Sequence, residues 1–312
     1  MKKKALIFGI AGEDGSCLVK ELLKKNYSVF GVTKLNKLNN LQKLSILNKA
    51  SIYTLKKFTE KKIIAILKKR FDTIYFFGVK SKINQSFAND KIATGSNVVP
   101  VKIILEFIRN HQKTAKFLFA SSGEIFGNQG FKKLNENSEK MPLSPYGLSK
   151  LMCFEMIKSY REMFKLKVCS LIFFNHESCL RDNAFVVSKI IKNLISIKKN
   201  KKGIVNLGNI NTMRDWGWAP EYMKIVTQIT KKNKFDDYVI ATGKTVSIKR
   251  MVYETCKQLG IKVPKIKSKN QFKRKFDIKK NFSNINKLKK HIHNYPKLKF
   301  NQVIIKIINN EL

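Results

Sequence analysis

Short apolar runs take turns with amphipathic stretches through the first half of this 312-residue chain. KALIFGI (4–10), YSVFGVT (27–33), TIYFFGV (73–79) and KFLFASS (116–122) are continuous enough to be strands buried on both faces. CLVKELLKKN (17–26), KIIAILKKRF (62–71) and VVPVKIILEFIRNH (98–111) repeat their apolar positions at the helical period. Strand and helix in alternation predict a parallel sheet with helices on both faces, since each face must be buried against something. A long helix, PYGLSKLMCFEMIKSYREMF (145–164), precedes one more buried strand, KVCSLIFFN (167–175). Beyond Asn175 the order loosens into helices such as FVVSKIIKNLISI and short strands such as GIVNLG and DYVIATG. The expected architecture is α/β: a doubly wound parallel sheet over residues 1–175, then a smaller α/β substrate-binding part over 176–312. The two are interleaved, with a strand from about 204–243 returning to the sheet. Residues 34–61 read only as a polar stretch, and 265–290 as lysine-rich exposed loops with a short helix.

Composition narrows the class. With 43% hydrophobic residues the chain fills a real core and is not disordered. Its start, MKKKALIFGIAG, has the basic head of a secretion signal, but Gly9, Gly12, Glu13 and Asp14 break the apolar run. It reads as a first strand instead. No apolar stretch approaches the roughly 18–20 residues of a membrane span, so a soluble cytoplasmic protein is expected. Cys17, Cys153, Cys169, Cys179 and Cys256 are scattered and odd in number, which suggests neither a disulfide framework nor a metal site. A net charge of +42 ordinarily points to nucleic acid. Here the lysines are spread along the whole chain beside abundant Asn and Ile, a pattern of compositional drift, and no nucleic-acid partner is expected. A single lysine therefore carries little weight, and a scarce arginine carries more.

Candidate chemistry begins at FGIAGEDGSCLVKEL, where Gly9, Gly12 and Gly15 separate a strand from a helix. Backbone N–H groups and the dipole at such a helix start suit a pyrophosphate. The glycines would permit the turn, the approach of phosphate, and close packing of helix on strand. The spacing is GxxGxxG, and alone it fits a structural turn as well as a binding site. No Asp or Glu occurs between Glu21 and Glu60, so the acid that would select NAD at the end of the second strand is missing and Lys34 stands there. NADP is the expected cofactor.

A second constellation joins FASSGEIFG to SPYGLSK. Tyr146 and Lys150, four apart, share one helix face. Lys150 would lower the phenol pKa and hold the nicotinamide ribose, while Ser122, at a strand end, would bind the same substrate oxygen. By itself YxxxK is common and often only a surface pair.

Glycine loop, Ser and YxxxK in this order resemble an extended short-chain dehydrogenase/reductase. FGIAGEDGS, IFFNHES (172–178), MRDWGWAPEYM (213–223) and DDYVIATG (236–243) narrow the resemblance to the GDP-mannose 4,6-dehydratase family. The resemblance implies a Rossmann fold, a dimer or tetramer, and Glu124, two residues after Ser122, as the base that takes the carbon 5 proton. It further implies substrate contacts from Asn175, Glu177, Lys189 and Arg214. KRKFDIKKNF (273–282) resembles the family's late RPxEVD segment, which would put Arg274 on the nucleotide diphosphate and Asp277 near the ribose. The chain departs from the family at Gly123 (Ser or Thr), at SCLRDN for SPRRGE, at Thr54, and at Lys80 and Lys82. The implied activity is conversion of GDP-mannose or a related nucleotide hexose to its 4-keto-6-deoxy sugar. The rival readings are an epimerase or reductase of the same fold, and a non-catalytic basic protein binding nucleotides or nucleic acid.

Overall fold

The computed structural model describes residues 2–34, 38–77, 90–269 and 276–312. In chain order the first half comprises β1 (Lys4–Phe8), α1 (Glu13–Lys24), β2 (Ser28–Thr33), α2 (Asn39–Lys43), β3 (Ala50–Thr54), α3 (Glu60–Leu67) and β4 (Thr73–Phe76). It continues through α4 (Asp90–His111), β5 (Lys116–Ser122), β6 (Lys133–Leu134), α5 (Pro145–Phe164) and β7 (Val168–Phe173). There follow β8 (Asn175–Glu177), α6 (Val186–Asn200), β9 (Val205–Leu207), β10 (Met213–Trp218), α7 (Ala219–Thr230), β11 (Tyr238–Ile240) and β12 (Thr245–Ser247). The chain closes with α8 (Ile248–Leu259), β13 (Ile266–Ser268), β14 (Phe282–Ser283), α9 (Asn286–His291) and α10 (Phe300–Ile308).

Among the described residues seven strands form one sheet in the order β11-β7-β5-β4-β1-β2-β3, every neighbouring pair parallel. Successive residues of a strand face opposite sides. Ala5, Ile7, Tyr75, Leu118 and Leu171 accordingly pack with α1 and α7, while Leu6, Phe8, Ile74, Phe76 and Phe117 pack with α3, α4 and α5. The alternation of strand and helix thus reads out as the expected doubly wound α/β sheet. From β1 the chain proceeds outward through β2 and β3, and from β4 it proceeds the other way. The connections diverge at that reversal and leave a crevice at the strand C-termini, where ligands bind in such sheets.

Two strands depart from the pattern. β3 lies inside the stretch read as merely polar: it is an edge strand, half-exposed along its length, so no continuous apolar run marks it. Of the two later strands, DYVIATG supplies β11 to the large sheet, whereas GIVNLG supplies β9, which pairs with β13. β8 and β12 flank β10 in a separate sheet. Beneath it Val187, Ile190, Trp216, Met251 and Val252 form a further core. Buried Asp215 ties these pieces together: it accepts from Thr242 N, Thr242 Oγ1, Gly243 N and Ser283 Oγ at 2.6–2.9 Å. Among the described residues no helix is long and apolar enough to cross a membrane.

Candidate active site

The C-terminal ends of β1, β5 and β7 open into a cavity of about 640 Å³. Gly9, Gly12 and Gly15 form its floor. Gly9 turns the chain at φ +89°, and a Cβ on Gly15 would lie 2.2 Å from the Gly9 carbonyl oxygen, so only glycine lets α1 start this close to β1. Gly12 is the N-cap and has no side chain to bond the first-turn amides. Those donors remain for an anion.

Ser122, Glu124, Tyr146 and Lys150 line the same cavity. Ser122 ends β5, and its Oγ accepts from Glu124 N at 3.3 Å, starting the short helical turn that carries the carboxylate. Ser144 caps α5 by accepting from Gly147 N at 3.0 Å, and Pro145 follows it. That start places Tyr146 in the first turn and Lys150 one turn deeper. Lys150 Nζ donates to Ala120 O at 2.6 Å, and burial pulls its pKa down to about 8. Tyr146 does not behave as the sequence suggests. Burial, then the nearby Glu124 carboxylate, push the phenol up, while its hydrogen bond with Ser122 pulls it down. Lys150 Nζ sits 5.7 Å from the centroid of the tyrosine ring and also donates to Ala120 O, so burial and Glu124 set the direction of the phenol's shift.

Asn175, Glu177, Lys189 and Arg214 also line the cavity. Arg214 Nη2 donates to Asp277 Oδ1 at 3.1 Å, and Thr212 Oγ1 donates to Asp277 Oδ2 at 3.1 Å, so Asp277 is brought to the site as well. Lys34 is not among the lining residues: at the end of β2 its Nζ reaches Ser96 Oγ at 3.3 Å and lies 4.7 Å from the Phe58 ring centroid. Arg274, Lys80 and Lys82 lie outside the described residues.

Sequence reasoning missed a charged network between the glycine loop and β8. Glu13, although in the first turn of α1, is buried; its oxygens accept from Ser178 Oγ and Arg181 Nη1, each at 2.6 Å. His176 Nδ1 lies 2.8 Å from Phe174 O and Nε2 2.8 Å from Asp14 Oδ1. A carbonyl only accepts, so Nδ1 carries a proton, and the carboxylate at Nε2 calls for the second. Burial opposes that charge, but attraction and hydrogen bonding to Asp14 outweigh it and raise the His176 pKa to about 9. Glu177 is pushed up to about 8 by burial and by Glu13, against the pull of Arg181. Glu13, Asp14 and His176 bring ligand-type atoms within 4.8 Å of one another, yet each is engaged by Arg181, Ser178 or its neighbour. The signal was present: two adjacent acids, Glu13 and Asp14, inside a glycine turn that becomes buried call for counter-charges from elsewhere in the chain.

A sequence profile of the GDP-mannose 4,6 dehydratase family matches residues 6–307. The chain belongs to that family. A GDP-mannose 4,6-dehydratase of Vibrio cholerae is 31% identical over 272 residues, covering 84% of this chain and 73% of that protein. One from Dictyostelium discoideum is 32% identical, covering 83% and 77%. The fold is shared with UDP-glucose 4-epimerase of Thermotoga maritima, solved with UDP-glucose (TM-score 0.87, 21% identity, 98% of each chain). It is shared equally with dTDP-glucose 4,6-dehydratase of Bacillus anthracis, solved with NAD (TM-score 0.84, 18% identity, 99% and 96%). Because the same fold serves epimerases and dehydratases, the side chains in the cleft must separate the two activities.

Proposed function

We propose that the protein is a nucleotide-sugar 4,6-dehydratase acting on GDP-mannose or a related nucleotide hexose with NADP bound. The observation that carries this reading is the convergence of Glu124 with Ser122, Tyr146 and Lys150 on one cavity. Oxidation at carbon 4 alone requires Ser122, Tyr146 and Lys150; elimination requires a carboxylate on the reacting hexose as well.

The glycine floor with its uncapped α1 amides fits a dinucleotide pyrophosphate, and Arg181 and His176 neutralise the two acids beside it. Lys34, at the end of β2, is suited to a ribose 2′-phosphate. The nicotinamide, when bound, supplies the acceptor for the carbon 4 hydride and returns that hydride to carbon 6. Tyr146 Oη takes the proton of the carbon 4 hydroxyl, with Ser122 orienting the same oxygen. Because burial and Glu124 hold the phenol high, positive charge in the cleft is needed to favour its anion, and the buried Lys150 ammonium contributes to it. The resulting ketone acidifies the carbon 5 hydrogen. Glu124 removes that proton and delivers it to the departing carbon 6 oxygen, which leaves as water. The proton held on Tyr146 Oη passes to carbon 5 as carbon 6 is reduced, which restores the phenolate. Arg214, steadied by Asp277, takes the diphosphate, with Arg274 assigned to the same group; Asn175, Glu177 and Lys189 complete the substrate wall. Residues 1–175 together with β11 then serve the dinucleotide, and the remainder of 176–312 serves the sugar nucleotide.

Incubation with GDP-mannose and a trace of NADP should convert the sugar fully to a product lighter by one water, read by mass spectrometry. Glu124→Gln should abolish water loss while NADP binding persists. Stoichiometric NADPH consumption, or an isomer of unchanged mass, would overturn the assignment in favour of a reductase or an epimerase.

A further inference from the structure

The cavity wall contains a polar side chain that the reaction described above does not use. Asn281 is 2% exposed and forms part of the cavity wall. Its backbone N donates to Met213 O at 3.2 Å, which fixes it beside the strand of Arg214. Its Nδ2 donates to Gly123 O at 3.4 Å. A carbonyl accepts only, so the amide nitrogen must face Gly123 and the carbonyl oxygen is turned elsewhere. That Oδ1 is withdrawn from solvent and has no partner among the described residues. A buried acceptor in this state is unfavourable until a donor reaches it. Gly123 makes the arrangement possible: a Cβ there would lie 3.2 Å from Asn281 Nδ2 and 3.4 Å from the Phe174 ring.

We propose that Asn281 is a substrate-binding residue whose side-chain carbonyl accepts a hydrogen bond from a hexose hydroxyl that the reaction does not consume. The inference rests on the dehydratase reading. A diphosphate offers no donor, and Gly123 lies between Ser122 and Glu124, the two groups assigned to carbons 4 to 6, so the hexose and not the base is the part within reach. A hydroxyl at carbon 2 or carbon 3 meets these conditions.

The test compares kcat/KM of the full-length protein, loaded with NADP, on GDP-mannose and on its 2-deoxy and 3-deoxy analogues. The wild type should prefer the parent over one of the two analogues by about 10- to 100-fold, because a site built to bond a hydroxyl rejects the compound lacking it. Asn281→Leu should erase that preference and keep the response to the other analogue. Asn281→Ser, smaller and still able to accept, should retain part of it, and it reads the same comparison if the leucine variant fails to fold. Unchanged discrimination in both variants, or an equal slowing of all three sugars, would reduce Asn281 to a structural residue while leaving the dehydratase assignment standing. A wild type that turns over none of the three would remove both.

Discussion

On one wall of the cleft, Ser122 and Glu124 come from a single strand end, and Tyr146 and Lys150 from a single helix start. On the other wall, Glu13 meets Arg181 from 168 positions away and Arg214 meets Asp277 from 63 positions away. The first wall is assembled by local rules of capping and helical spacing, and it carries the groups proposed for proton transfer. The second is assembled by ion pairs that exist only once the chain has folded, and it joins the glycine loop to β8 and α6. Proton transfer and the buried ion pairing beside the glycine loop are thus divided between the two, so substitution of Tyr146 should lower turnover and substitution of Arg181 should lower stability.

Tyr146→Phe gives the sharpest expected effect. Removing the phenolic hydroxyl should lower kcat by about 10²- to 10⁴-fold with an unchanged melting temperature, measured by formation of the dehydrated sugar and by thermal unfolding. A loss below tenfold would break the division. Arg181→Ala should do the converse to the fold. It leaves buried Glu13 and Glu177 without their guanidinium, a change that costs about 3–5 kcal/mol when a buried pair loses one partner, readable by urea unfolding near neutral pH.

The pH dependence of stability is the third test. His176 is raised from 6.5 to about 9, so its contribution is complete below pH 6.5 and is lost as pH rises through 9. Glu177 is raised from 4.5 to about 8, and the fold likewise disfavours its ionisation as pH rises toward 8. Lys150, lowered from 10.5 to about 8, acts in the opposite sense only above pH 8. Unfolding free energy attributable to these three groups should therefore fall between pH 6.5 and 8, and His176→Asn should flatten that slope. The smallest effect is expected at the cofactor's edge. Lys34→Ala should weaken NADP binding by about tenfold or less and leave NAD binding unchanged, measured by fluorescence titration.

Much of the first wall was legible because its signals are short-range. Ser144 and Pro145 announce a helix start, YxxxK places two side chains on one face, and three glycines announce a turn without side chains. β3 was not legible in the apolar pattern, since an exposed edge strand needs no apolar run, and only the family resemblance placed a third strand near Thr54. The high pKa of Tyr146 was not legible either, because it reflects burial beside Glu124. His176 and Arg181 sat inside quoted motifs, yet their partners Asp14 and Glu13 were visible only as acids in an awkward place.

By itself the order of apolar and polar residues determined that strands alternate with helices and that glycine, serine, tyrosine and lysine fall at strand ends and helix starts. These are consequences of backbone sterics and hydrogen bonding within a few residues. Only the tertiary structure decided which buried charge faces which, how high each titrating group sits, and that an asparagine near the chain's end reaches Gly123. Electrostatic energy depends on distance through space and on water excluded by packing, and neither quantity is written along the chain.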